Sequence, residues 1–397
     1  MEREFDFVVI GGGIIGLSIA REIKKRFLNK KVALLEKEKE CGLHASGRNS
    51  GVLHAGFYYT SNSLKARFCK EGNAEMQAYC KEKNIPVNRC GKLVVATEEK
   101  EIDGLSELLC RAQLNGVELS WISEKEAKEI EPRVKTISHA LYSPTTASLN
   151  PTEVIKALQK DAIQEGIEIY SGVSYKQRLC DGILTSKGPL KAHFIVNAAG
   201  LYADRIALDF ECSENYRLLP FKGLYLYSDE PPFSLKTHVY PVPDLNYPFL
   251  GVHFTLTDSG RIKIGPTAIP AFWREQYEGF SNFKTDEFLE IARQQLNLLF
   301  SSNWDFKKLA WEEIQKYFGC KMVSLAAKLV DGISQASYRQ WGKPGIRAQL
   351  LNIQTNKLEN DFVIEQGKNS LHILNAVSPG FTASMPFARY VVDQIPT

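Results

Sequence analysis

The 397-residue sequence contains no C-x-x-C pair among its eight cysteines, Cys41, Cys69, Cys80, Cys90, Cys110, Cys180, Cys212 and Cys320. That spacing excludes a zinc knuckle, a thioredoxin-like couple and an iron–sulfur cluster, so no metal site is expected. Free thiols in a reducing compartment are the expectation. No apolar run is long enough to span a bilayer. The longest, Phe7 to Ala20, is broken by Gly11, Gly12 and Gly13, so any membrane contact is expected to be peripheral. Basic runs are missing too, and the net charge is only +3, which argues against nucleic acid as a partner. Repeats, low-complexity tracts and flexible linkers are absent. The first strand begins within a few residues of Met1, so no secretory leader is expected. The location read from this is cytoplasmic, with the cytoplasmic face of an inner membrane as the place for peripheral attachment.

What is present begins with a buried strand. Phe7-Val8-Val9-Ile10 is continuously apolar, as a strand covered on both faces should be. Gly11, Gly13 and Gly16 then form G-x-G-x-x-G, with Ile14 and Ile15 inside it, and lead into a helix from Leu17 to Phe27. The first glycine permits the tight turn, the second lets a pyrophosphate approach, and the third lets helix pack on strand. The helix N-terminus stabilises phosphate charge. A second strand, Val32 to Leu35, ends at Glu36, twenty residues after Gly16, with Lys37 beside it. A carboxylate there accepts from ribose hydroxyls and repels a 2′-phosphate, which argues against NADP. A second small-residue loop, Ser46-Gly47-Arg48-Asn49-Ser50-Gly51, follows soon after. Such a loop suits an extended dinucleotide carrying a ring system.

The length calls for two interleaved domains. Residues 1–80, 151–215 and 341–397 are expected to form a Rossmann-like nucleotide-binding domain. Residues 81–150 and 216–340 are expected to form an α+β substrate domain on a mainly antiparallel sheet. Ser63 and Asn150 are placed to cap helices, the second followed by Pro151 and Glu153. Leu224–Tyr227, Gly251–Phe254 and Ile262–Ile264 read as strands. Phe288, Ile291, Leu296 and Leu299 read as the apolar side of a helix.

The fingerprint, the stretch from Ser46 to Tyr59 and Ser378-Pro379-Gly380-Phe381-Thr382 together resemble the D-amino-acid-oxidase-like FAD oxidoreductases. Within them, His44 to Tyr59, Pro220-Phe221-Lys222-Gly223, Val239 to Pro243, Phe249 to Thr255 and Gly345 to Leu350 are similar to the L-2-hydroxyglutarate dehydrogenase and oxidase family. These blocks span nearly the whole chain. Lys222 stands where arginine is expected, and Ser-Pro-Gly-Phe-Thr replaces the more common Ser-Pro-Ala-Ala-Thr. The resemblance implies a two-dinucleotide-binding-type fold holding FAD non-covalently. It implies that Asn49, Ser50 and Gly51 lie along the flavin side and that Val173 passes the adenine. Ala199 and Gly200 then pass the pyrophosphate, and Ser378, Gly380, Phe381 and Thr382 meet the flavin.

The implied reaction moves a hydride from C2 of a 2-hydroxy acid to flavin N5 and a proton from the hydroxyl to a base. His54 is the first candidate base, since an imidazole titrating near about 6.5 suits neutral pH. His253, on a strand-like run, is the second. Arg347 suits bidentate binding of a carboxylate. Lys222 is the candidate for a second carboxylate or for stabilising reduced flavin, and Tyr58 and Tyr59 are candidate donors. The expected substrate is L-2-hydroxyglutarate, and the acceptor is oxygen, a quinone or an electron carrier. Glycerol 3-phosphate, another 2-hydroxy acid or an amino acid is the alternative substrate. A non-catalytic flavin module is the alternative class.

Overall fold

A computed structural model describes residues 4–244, 249–301 and 306–396. The first strand, Glu4–Ile10, lies between Val32–Glu36 and Gly188–Asn197 and runs parallel to both. Glu168–Ser171 extends the parallel sheet beyond Val32–Glu36, and Ser370–Asn375 pairs with the end of Gly188–Asn197. The helix Ile14–Arg26 packs one face with Leu17, Ile19, Ala20 and Ile23, all fully buried. It shares a core with the last helix, Ser384–Val392, through Phe387 and Val391. Both strand faces are covered, which explains the unbroken apolar runs.

The second layer is an eight-stranded sheet. Its order is Tyr338–Trp341, Leu226–Ser228, Ile262–Gly265, His253–Leu256, His238–Pro241, Lys92–Val95, His139–Ser143 and Ser120–Ser123. All neighbours are antiparallel except His238–Pro241 beside Lys92–Val95. Strands from residues 81–150 and from 216–340 thus share one sheet. A four-stranded sheet pairs Tyr216–Gly223 with Gly345–Asn352 along their full length, bringing Phe221 opposite Arg347 and Lys222 opposite Ile346.

The caps follow the sequence. Ser63 accepts from the Ala66 amide at the start of Leu64–Glu82, and Asn150 accepts from Thr152 at the start of Pro151–Gln164. The helix Thr285–Ser301 differs from expectation in its face. Ile291 and Leu298 are fully buried, whereas Leu296 is 52% exposed. Seven residues return to the same stripe of a helix, while five carry Leu296 to the far side. The strands expected at Leu224 and Gly251 begin two residues later, at Leu226 and His253.

Candidate active site

A cavity of about 1100 Å³ runs between these layers. Its wall includes Gly11, Gly13, Ile14, Ile15, Glu36 and Lys37 at one end and His54, Arg347, Ser378, Phe381 and Thr382 at the other. Val173 joins the Glu36 end, and Ser46, Arg48, Asn49, Ser50, Ala199 and Gly200 lie between.

Each glycine of the fingerprint has a separate reason. Gly11 adopts φ +113°, and a Cβ there would sit 2.4 Å from the Ala198 carbonyl oxygen. A Cβ on Gly16 would come within 1.9 Å of the Gly11 carbonyl oxygen, so helix and turn touch there and Gly16 stays off the wall. A Cβ on Gly13 meets only Ser46 Oγ within 4 Å, leaving its backbone open to a ligand. Gly13 begins the helix with extended backbone, and the Ile14 amide donates to Ser46 Oγ at 2.9 Å. Two other expected cofactor residues, Gly51 and Gly380, are also off the wall. Each is pressed against a carbonyl, of Leu149 and Ala376 respectively.

Glu36 is held by the turn it recognises. Its Oε2 accepts from the Gly12 amide at 2.9 Å and its Oε1 from the Glu38 amide at 2.8 Å. Each oxygen keeps a lone pair for a ribose hydroxyl. Its carbonyl accepts from the Val173 amide at 2.9 Å, which brings Val173 to the same end.

Lys37 and Arg48 reach the wall with their charges already engaged. Lys37 Nζ donates to Glu38 and Glu275, both at 2.6 Å. Arg48 donates to the carbonyls of Leu43 and Pro344 and lies 4.3 Å from the Tyr277 ring centroid. Both therefore tie the nucleotide end to a strap, residues 271–284, which puts Glu275, Asn282, Phe283 and Lys284 on the wall. His44 bonds Tyr277 Oη at 2.7 Å and Glu38 at 3.0 Å. Glu38, His44 and Glu275 could together ligate a metal, but Lys37 occupies both carboxylates. The strap is anchored by Arg274, which pairs bidentately with Asp204, both side chains fully buried. Asn49 shapes the neighbouring loop, donating to the Ser46 carbonyl at 2.7 Å and accepting from the Gly51 amide at 2.8 Å.

At the opposite end, His54 is clamped by its backbone. Its amide donates to Thr382 Oγ1 at 3.2 Å, and its carbonyl accepts from Asn73 and Cys69. Its Nδ1 is buried without a partner. Burial, then the charges of Lys92 and Arg347, push its pKa down to about 3. The ring is therefore neutral, but more weakly basic than an exposed imidazole. Arg347 lies 5.0 Å from the Phe249 ring centroid, and burial lowers its pKa. Among the described residues no carboxylate lies within ion-pair distance of it.

The structure does not bring the remaining candidates to the wall. His253 donates from Nδ1 to the Gly251 carbonyl at 2.8 Å and stacks on Tyr240 at 3.7 Å, so its ring packs behind the site. Lys222 is opposite Ile346, and strand alternation turns it to the other face from Arg347. It sits 6.0 Å from the Tyr317 ring centroid instead. Tyr58 and Tyr59 also lie off the wall, and burial holds both phenols protonated. Three residues near this end escaped the sequence reading. Tyr225 is on the wall. Lys263 donates to the Ser50 carbonyl at 3.0 Å. Lys92 is fully buried, with its ammonium among three aromatic rings. The signal available was a lysine inside the apolar strand run Lys92–Val95.

Residues 6–394 match the DAO family, described as FAD dependent oxidoreductase. The chain belongs to that family. It is 36% identical to the mitochondrial L-2-hydroxyglutarate dehydrogenase of Nematostella vectensis, over 99% of this chain and 90% of that protein. The L-2-hydroxyglutarate dehydrogenase of Indibacter alkaliphilus is also 36% identical, over 98% of each. Within the DAO family the chain therefore groups with the L-2-hydroxyglutarate dehydrogenases. Among solved structures, L-alpha-glycerophosphate oxidase from Mycoplasma pneumoniae with FAD bound superposes with a TM-score of 0.78 at 22% identity. The match covers 98% of this chain and 94% of that one. Glycine oxidase from Geobacillus kaustophilus gives 0.73 at 21% identity, over 100% and 96%. The fold is theirs, and the cofactor of this chain is FAD. The residues fit it: an open backbone at Gly13, an acid at Glu36, and a wall continuous from there to Thr382.

Proposed function

We propose that this enzyme oxidises L-2-hydroxyglutarate to 2-oxoglutarate. The observation that carries the reading is His54 and Arg347 on one wall, beside the Ser378–Thr382 segment, with Arg347 lacking a carboxylate partner. Bound FAD supplies the acceptor for the hydride that leaves C2. Arg347 holds the C1 carboxylate and so fixes C2. His54 takes the hydroxyl proton. With Nδ1 buried, Nε2 is the nitrogen we assign to this step.

A base depressed to about 3 is weak, and the substrate itself offsets this. A fall from 6.5 to about 3 corresponds to about 5 kcal/mol. A carboxylate about 4 Å from the imidazolium contributes on the order of 4 kcal/mol at an effective dielectric of 20. Substrate charge thus offsets much of the loss of basicity when the base is needed. The test is to mix oxygen-free holoenzyme with L-2-hydroxyglutarate, D-2-hydroxyglutarate and glycerol 3-phosphate and follow the oxidised-flavin band. Bleaching by the L-dicarboxylate alone supports the reading. Bleaching only by glycerol 3-phosphate would move the substrate to the phosphate.

For the acceptor we favour a quinone at a membrane surface over oxygen. Phe300, Trp311 and Phe318 are 81%, 66% and 68% exposed on the adjoining helices Thr285–Ser301 and Phe306–Ile314 and the turn after them. Arg293, Lys307 and Lys321 are exposed among them. Exposed aromatics interleaved with bases suit an anionic lipid surface. No helix among the described residues is long and apolar enough to cross a membrane. All eight cysteines are free, which fits a reducing compartment such as the cytoplasm. Sedimentation with anionic but not zwitterionic vesicles, lost in Trp311→Glu, is the expected result. Equal recovery without vesicles would sink it.

A further inference from the structure

Lys92 begins the strand Lys92–Val95, between His238–Pro241 and His139–Ser143. Alternation sends Leu93 and Val95 into one core and places Val94 with Ala55, Phe57 and Tyr58 in another. Lys92 is on the Val94 side. Its ammonium lies 4.5 Å from the ring centroids of Phe57 and Tyr58 and 4.8 Å from that of Tyr240. The ring faces offset part of the cost of burying the charge, but none of its N–H groups has an acceptor.

The groups around it share this deficit. The Tyr58 hydroxyl, Nδ1 of His54 and Nε2 of His238 are buried without partners, while the Tyr240 hydroxyl faces that of Thr255. The titratable groups around the cage are His54, Tyr58 and Tyr59 from the loop after Val52–Leu53, Cys69 from Leu64–Glu82, Cys90, His238 and Tyr240, His253 from the next strand, and Tyr225 and Lys263 beyond it, the last a further buried cation. Arg347 reaches His54 from the cavity side. Burial keeps the cysteines and tyrosines protonated, so none of these groups supplies a negative charge. Among the described residues no carboxylate lies within ion-pair distance of Lys92. His54 therefore stands between two cations, neither with a carboxylate within ion-pair distance among the described residues, although the more distant Glu313 charge acts on Arg347. An acid with two carboxylates and a hydroxyl between them has the complementary pattern.

We propose that Lys92 is the specificity-determining cation for the second carboxylate of the substrate, with the Tyr58 hydroxyl as a supporting donor. The proposal rests on the reading that Arg347 takes the first. Lys92 is behind the cavity wall, so contact requires a side-chain rotation within the cage, which a flexible four-carbon stem permits. An apolar substrate end gives the ammonium nothing to turn towards. Other lysines are less suited. Lys263 already donates to Ser50, the Asp361 charge acts on Lys65, and Lys222 faces away.

The test uses holoenzyme and the variants Lys92→Met and Lys92→Arg. Glutarate and butyrate, one acid with a second carboxylate and one without, are titrated while the flavin spectrum is followed. Lys92→Met should weaken glutarate by about 30-fold or more and leave butyrate within about threefold. Lys92→Arg should recover part of the loss. Anaerobic bleaching should show the same split between L-2-hydroxyglutarate and L-2-hydroxybutyrate. Equal losses for the two acids, or unchanged glutarate binding, would overturn the role of Lys92. Wild-type enzyme that L-2-hydroxyglutarate fails to bleach would instead overturn the substrate reading, because the glutarate and butyrate titrations need no turnover.

Discussion

The His54 amide and the Thr382 hydroxyl are hydrogen-bonded at 3.2 Å across 328 residues of chain. The same hydroxyl donates to the Val52 carbonyl at 3.4 Å. One side chain thus registers the candidate base against the C-terminal flavin segment. Thr382→Val keeps the shape and removes both bonds, which typically costs about 1–2 kcal/mol. We expect FAD to be retained and the single-turnover rate of flavin bleaching to fall about tenfold. Thr382→Ser should restore most of it. Unchanged bleaching in the valine variant would mean that the bond does not position His54.

His54→Ala should keep FAD and lose about 10²- to 10⁴-fold in the rate of flavin reduction by substrate, the usual contribution of a positioned base. Stopped-flow bleaching measures this directly. His253→Ala should leave a much larger residual rate, since that ring packs behind Tyr240. A reversal of the two effects would exchange their roles.

The pH dependence follows from Lys92. Burial lowers its pKa from 10.5 to about 7. The free enzyme holds the ammonium below about pH 7 and loses it above. The kcat/KM for a dicarboxylate should therefore fall towards tenfold per pH unit above about 7. Lys65 and Lys263 are lowered to about 8, so the Lys92→Met variant separates the contributions. A descending limb that survives in that variant belongs to another group.

Stability should respond on the acid side. His54 and His238 are each depressed to about 3 in the fold, against 6.5 when free. Below 6.5 the unfolded chain binds protons that the folded one refuses, so stability drops as pH falls towards 3. At pH 5 the loss is about 2 kcal/mol for each ring. Thermal unfolding at pH 7 and pH 5 should show a clear fall in Tm, smaller in His238→Phe.

Asp204→Ala removes the bidentate partner of buried Arg274, leaving it the Glu290 carboxylate at 3.4 Å and the Leu201 carbonyl, and should cost about 3 kcal/mol. It should also speed FAD loss, because Arg274 anchors the strap. Urea unfolding and flavin fluorescence on dialysis read the two effects. Destabilisation without faster FAD release would separate the strap from retention.

The nucleotide end was legible because its logic is local. Gly16 and Glu36 act on backbone within one strand–helix–strand unit, so spacing alone predicts their contacts, whereas the close approach of Ala198 to Gly11 comes from a distant strand. Ser63 and Asn150 were legible for the same reason. The reacting end is assembled across sheets, and there residue type misleads. Lys222 and Arg347 sit on paired strands, yet a one-residue register difference sends them to opposite faces. His253 occupies a strand like a functional residue, but Tyr240 covers it. Lys92 is invisible as a charge because its three ring neighbours come from residues 57, 58 and 240. The misplaced Leu296 shows the milder form of this problem: helical spacing identifies a helix before it identifies the inward face.

Lys37 with Glu275 and His44 with Tyr277 close the strap over the nucleotide end of the cavity. A dinucleotide held there is enclosed by segments 230 or more residues apart in the chain. Exchange of the cofactor should be paced by the breaking of the Lys37–Glu275 and His44–Tyr277 contacts.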